Sequence, residues 1–195
     1  MSFTTVDEVA LYLNRQSIEL TTLERSQVEM VIPFMDGLIT NYCGWNLLAT
    51  DYTNKRFDGT GLKTLDLRMY PINSLTQVRV RANDGTFTDV TTGVETFDDG
   101  VISFLPYATT DVTTFTAGTK NWFLTFNAGY APGSIPHDLA YSATLLVVEH
   151  FNKIIDENTG LSDEKFEGIT FQNANLEIPP SVKRMLDRYR LVSII

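Results

Sequence analysis

The period of the apolar positions changes along the chain. Thr5 is followed three residues later by Glu8, a pattern that caps a helix start, and Val6, Val9, Ala10 and Leu13 then recur at helical spacing. This predicts a short helix over roughly residues 5–14. Thr21 and Glu24 repeat the capping pattern ahead of a longer helix running to about Cys43. Its apolar positions are Leu23, Val31, Phe34, Met35, Leu38, Ile39 and Tyr42. Gly44 is placed to end it, and Pro33 is expected to kink or split it.

From residue 55 the period falls to two. Leu65 and Leu67, then Leu75, Val78 and Val80, alternate with polar residues. "NDG" at 83–85 and "DDG" at 98–100 predict tight turns, and "VISFLP" and "NWFLTFNAGY" predict strands. The stretch from about 82 to 120 is long and Thr-rich. The last strand runs into "AGYAPGSIP", where Ser134 can cap and Pro136 suits a first helical turn.

The helix that follows is apolar on most of its circumference. Leu139, Ala140, Ala143, Leu146, Val147, Phe151 and Ile154 take one side; Tyr141, Leu145, Val148 and Ile155 take much of the other. Asp138, Ser142, Glu149, Lys153 and Asp156 are left in one narrow stripe. Such a helix is buried between elements, which makes it the expected spine, ending at Gly160. Residues 161–177 are polar and weakly patterned. After Pro179 and Pro180, the positions Val182, Met185, Leu186 and Tyr189 predict a short helix, and the chain ends in the apolar "LVSII".

The expected fold is therefore α+β, a bundle of three to four helices with an inserted antiparallel β module. The expected divisions are 1–54 for the N-terminal helices, 55–133 for the β module, 134–160 for the central helix and 161–195 for a C-terminal arm.

Charge sharpens this picture. The net charge of -9 on 195 residues describes an acidic body that repels nucleic acid rather than grips it. The distribution is uneven: residues 1–54 hold 2 basic and 7 acidic side chains, whereas residues 181–195 hold Lys183, Arg184, Arg188 and Arg190 against Asp187 alone. Two readings are open: simple scatter of charge, or a tail that meets a different partner from the body. No apolar run approaches the roughly 20 residues that span a bilayer, and the start lacks the pattern of a signal peptide, so no membrane partner and synthesis in the cytoplasm are expected.

Reactive constellations are scarce. His137 and His150 fall on different helix faces, so they form no metal pair; His150 is expected in the core and His137 in solvent. Cys43 is alone and is expected to be buried and inert. "DGTG" at 58–61 lacks the spacing of a phosphate loop and is expected to turn, with Gly59 and Gly61 supplying positive φ. Asp98 and Asp99 could supply a carboxylate pair or calcium ligands, but between two strands they suit a turn better. GxSxG, HExxH and GxGxxG do not occur in the sequence. The expectation is no enzyme, no metal and no cofactor. Trp45 and Trp122 leave open a glycan- or receptor-binding β module.

Five stretches, in order, resemble the head–tail connector (adaptor, or head completion) proteins of tailed bacteriophages. They are "TTVDEVALYLN", the long helix ending "ITNYCGW", "RFDGTGLKTLDLRMYPINSLTQVRV", "NAGY" with "IPHDLAYSATLLVVEHF", and "IPPSVKRMLDRYR". The resemblance implies a virion protein of the neck, forming a ring of typically twelve copies beneath the portal protein. Such a ring joins the head to a stopper or tail protein, and DNA passes through its channel without specific binding. On this reading the portal-docking arm comprises Lys183, Arg184, Arg188, Tyr189, Arg190, Leu191, Val192, Ile194 and Ile195. Asp138, Glu149 and Asp156 form a stripe facing either the lumen or solvent.

Overall fold

The computed structural model describes residues 2–14, 19–97, 99–107, 111–158 and 178–191, with the backbone alone from 154 to 158. The chain forms two compact units. One is built from both ends of the chain, residues 1–44 and 135–195; the other is residues 45–134.

The first unit is helical: α1 (Val6–Asn14), α2 (Thr22–Cys43), α3 (His137–Asn158) and α4 (Pro180–Leu186), followed by a 3-10 turn at Asp187–Tyr189. Both predicted capping boxes form. Glu24 N–H donates to Thr21 Oγ1 at 3.3 Å while Thr21 N–H donates to Glu24 Oε2 at 2.6 Å, and Thr5 and Glu8 do the same ahead of α1. Each satisfies two otherwise orphaned donors. Gly44 ends α2 in the left-handed conformation at φ 80° and donates to the Thr40 carbonyl.

Pro33 does not split α2, which is continuous through it. Both Pro33 and Glu29, whose carbonyl loses its helical donor, are exposed, so water can fill the vacancy that would break a buried helix. Pro33→Ala is accordingly expected to raise stability by about 1 kcal/mol or more, read by urea unfolding; a lower midpoint would contradict this account.

The buried face of α2 also differs from the predicted stripe. Val28, Val31, Ile32, Met35, Ile39 and Cys43 are buried, whereas Leu23 and Phe34 are exposed. The true stripe includes Asp36, an acid whose polar character hides the periodicity. Phe3 N–H donates to its Oδ1 at 3.2 Å and Ser2 Oγ to its Oδ2 at 2.5 Å, which holds the N-terminus against α2 and seats Phe3 in the core. Burial nevertheless raises the Asp36 pKa.

In α3 the residues Leu139, Ala143, Leu146, Val147, Val148 and Phe151 are buried. Ser142, placed by sequence in a polar stripe, is fully buried and donates to the Asp138 carbonyl at 2.6 Å. Tyr141 is exposed. Ser134 does not cap α3; its hydroxyl closes the preceding turn onto the Ala131 carbonyl, and Pro136 precedes the first turn, its carbonyl accepting from Ala140 N–H. Gly160 lies outside the described residues.

The second unit holds two antiparallel sheets. Strands β1 (Thr50–Gly59), β7 (Gly118–Ala128), β3 (Ile72–Arg81) and β4 (Phe87–Asp89) form one, in the order β1-β7-β3-β4. Strands β2 (Thr64–Asp66), β6 (Val101–Phe104) and β5 (Val94–Thr96) form the other, in the order β2-β6-β5. β1 opens at Thr50, ahead of the change of period at residue 55. The Thr-rich stretch supplies β4, β5 and β6.

The core of this unit is aromatic. Phe115 lies 4.8 Å from both Phe104 and Trp122 between ring centroids, with Trp122 on the central strand. Gly59 is required by close approach rather than by positive φ: a Cβ there would lie 1.8 Å from the Thr116 carbonyl oxygen. Gly61 does take positive φ, at 76°.

Candidate functional site

The predicted site residues near the C-terminus rest on the helical unit. Pro180 begins α4, where its missing N–H costs no hydrogen bond, and Val182 and Leu186 turn inward. The 3-10 turn then buries Tyr189. Lys183, Arg184, Arg188 and Arg190 are exposed.

Two groups that sequence kept apart meet here. Tyr189 Oη donates to Asp138 Oδ1 at 2.6 Å, and Arg188 Nη1 lies 3.3 Å from Asp138 Oδ2. Leu139 N–H also donates to Asp138 Oδ1, at 3.0 Å. The Tyr189 hydroxyl, opposed by burial and assisted by Leu139 N–H and Arg188, holds the Asp138 carboxyl below its ordinary pKa. Asp138 is also in the first turn of α3, where a negative charge complements the helix dipole.

A second set of contacts fixes the other side of the turn. Tyr42 Oη donates to Asp187 Oδ1 at 2.6 Å, and that bond raises the Tyr42 pKa. The Arg190 guanidinium sits 5.5 Å from the Tyr42 ring centroid, within cation–π range. Leu191 N–H donates to the Cys43 carbonyl at 2.9 Å. Residues 187–191 are thereby clamped between the end of α2 and the start of α3. Val192, Ile194 and Ile195 lie outside the described residues.

Glu149, of the same predicted stripe, has a different partner from Asp138. Glu149 is half-buried and pairs with Lys153 at 3.3 Å, an i,i+4 contact. The Asp156 side chain lies outside the described residues. Ser142, between Asp138 and Glu149 in the predicted stripe, is buried.

Cys43 is buried, and burial pushes its thiol up to about 11, so it carries no thiolate near neutrality. His150 is buried and His137 is exposed. Asp99 Oδ1 accepts the Val101 N–H in the β5–β6 turn, and Asp98 lies outside the described residues. Trp45 and Trp122 are both buried, so neither offers a stacking surface for a sugar. Among the described residues there is no cluster of His, Cys, Asp and Glu suited to a metal ion, and no helix long and apolar enough to cross a membrane.

Sequence reasoning missed Tyr42 and Asp187 as partners, because residues so far apart carry no local signal. It also missed the arginines of β3, although "QVRVR" carried the information. Alternation with Val78 and Val80 places Arg79 and Arg81 together on the other face.

A family whose model is described as head completion protein matches residues 2–192. No curated protein matches the chain. Among solved structures, a chain from the neck of an empty gene transfer agent particle, computed with C6 symmetry, is 17% identical. The match covers 97% of this chain and 90% of that one, with a TM-score of 0.53. A chain from the virion of a native gene transfer agent particle is 16% identical, covering 90% and 82% at a TM-score of 0.47.

Proposed function

The chain belongs to the head completion protein family, and from that premise we propose that it is a structural protein of the particle neck. In this reading copies of the chain form a ring between the capsid portal and the tail or stopper, and DNA passes through the ring. The observation that carries the proposal is the family match over nearly the whole chain. The overall likeness to a neck chain of a gene transfer agent particle supports the same fold.

The clamped C-terminal segment gives the proposal a mechanism. A docking arm works best when its root is rigid and its tip is free to adapt, because the root then adds no ordering cost on binding. Asp138, Tyr42 and Cys43 fix the root through Tyr189, Arg188, Asp187 and Leu191. The arm beyond it, with the apolar "VSII" end, would add to the edge of a portal sheet mainly through backbone hydrogen bonds. The work is assembly and needs no catalytic group.

Deleting residues 190–195 is expected to leave a folded chain that no longer attaches to portals, because Tyr189 and its contacts remain. Attachment measured by co-sedimentation with portal-bearing capsids checks this, and undiminished attachment would sink the arm. Imaging of the particle neck with a rotational symmetry count tests the ring itself.

A further inference from the structure

One face of the four-stranded sheet carries a pattern foreign to this acidic chain. Register pairs Arg56 and Arg79 with Phe123 from either side, and Arg81 with Phe87. The Arg56 guanidinium lies 5.2 Å from the Phe123 ring centroid, and that of Arg79 lies 5.1 Å from Phe87. The two rings meet edge to face at 5.0 Å. Arg79 is further held by Asn54. The acids of this face are already engaged: Asp89 accepts from Thr91 and Gln77, and Asp51 accepts from Asn127. Arg56 and Arg79 are thereby held against the two rings, and Arg81 stands opposite Phe87, which is 48% exposed.

The helical unit presents the complementary features. A groove of ≈ 700 Å3 is lined by Glu8, Leu11, Tyr12, Tyr141 and Met185 among others. Leu11 is 56% exposed and also borders a neighbouring groove with Asp7 and Glu19. The lining is apolar and aromatic with acids among it: Glu8, bonded to Thr5, and Asp138 in the first groove, Asp7, paired to Arg25, and Glu19 in the second. The charge facing an arriving cation is therefore net negative.

We propose that these two surfaces meet between copies of the chain, Phe87 of one copy entering the Leu11–Tyr141 groove of the next while Arg56 and Arg81 face its acids. This rests on the ring reading above and names its contact. A closed ring needs two different patches per copy, one complementary to the other, and an apolar anchor within a charged rim is the usual form of a specific interface. The alternative occupant of an arginine face is DNA. Three clustered cations lining a channel would hold phosphate rather than let it pass, so the proposed neck function favours a protein contact.

The test uses particles assembled from a chain carrying Leu11→Cys and Phe87→Cys, the native Cys43 being buried. Oxidation is expected to yield a ladder of linked copies on a denaturing gel. Arg56→Glu with Arg81→Glu is expected to reduce that ladder by more than about tenfold through like-charge repulsion, and adding Asp7→Lys with Glu19→Lys to restore it. Particles whose neck shows a ring but gives no ladder overturn this contact and leave the ring standing. A neck without a ring overturns both. A ladder unchanged by the arginine reversals, together with lost binding of the isolated chain to duplex DNA, assigns the face to nucleic acid and overturns the proposal.

Discussion

Trp122→Ala is expected to remove about 3–5 kcal/mol of stability. Trp122 has no exposed surface and sits on the central strand of the larger sheet. Its ring contacts Phe115 and Phe104, with centroids 4.8 and 6.1 Å away, and its Nε1–H donates to the Thr116 carbonyl at 3.2 Å. The same carbonyl closes on Gly59, so the surroundings cannot collapse into the space left behind. A cavity that cannot relax lies at the costly end of the range for such truncations. Trp122→Phe should recover part of the loss by keeping the aromatic contacts while giving up the N–H bond. Chemical unfolding followed by strand circular dichroism checks both; a loss under about 1 kcal/mol for the alanine variant would show that the three-ring cluster is not the core of this unit.

The second large effect falls on the clamp. Tyr189→Ala is expected to cost about 2–4 kcal/mol and to release the segment from Leu186 onward, seen as rapid amide exchange at Leu191. Tyr189→Phe separates packing from hydrogen bonding. It keeps the buried ring and removes the hydroxyl that holds the Asp138 pKa down. The sign of the pH dependence follows: a carboxyl with a depressed folded-state pKa contributes stability above its unfolded pKa, and that contribution is lost as pH falls through the folded value. Wild-type melting temperature should therefore drop as pH is lowered through the carboxylate range, and Tyr189→Phe should flatten that limb. An unchanged acid limb would remove Asp138 from this role.

What was legible in the sequence was periodicity and punctuation. The two capping boxes, the Gly44 stop, the "NDG" turn and the switch from helix to strand all rest on local geometry, and all appear. What was not legible depends on partners far along the chain. Of the predicted α2 stripe, Val31, Met35 and Ile39 are buried but Leu23 and Phe34 are exposed, and Asp36 reads as a surface residue until Ser2 and Phe3 are seen to bond it. Ser142 was placed on a polar stripe for the same reason, although its hydroxyl is satisfied by its own helix. Pro33 misled in the opposite sense, since the penalty for a missing N–H depends on whether water reaches the vacant carbonyl. Of the docking arm, residue types and charge were visible, but not that Tyr189 faces inward or that Asp138 is its partner.

The ends of the β unit are tied to each other. Tyr130 N–H donates to the Leu47 carbonyl at 2.7 Å, and Ala49 N–H to the Tyr130 carbonyl at 3.0 Å. The strand pair β1 and β7 continues this seam from Thr50 against Ala128. Everything between enters and leaves through one stitched doorway, which fixes the two ends of the insert close together. Lengthening or replacing the strands beyond that doorway changes little in the entropy of closing it. A chain of this family can thus lengthen its strands away from the doorway while the two joints to its helices keep their spacing.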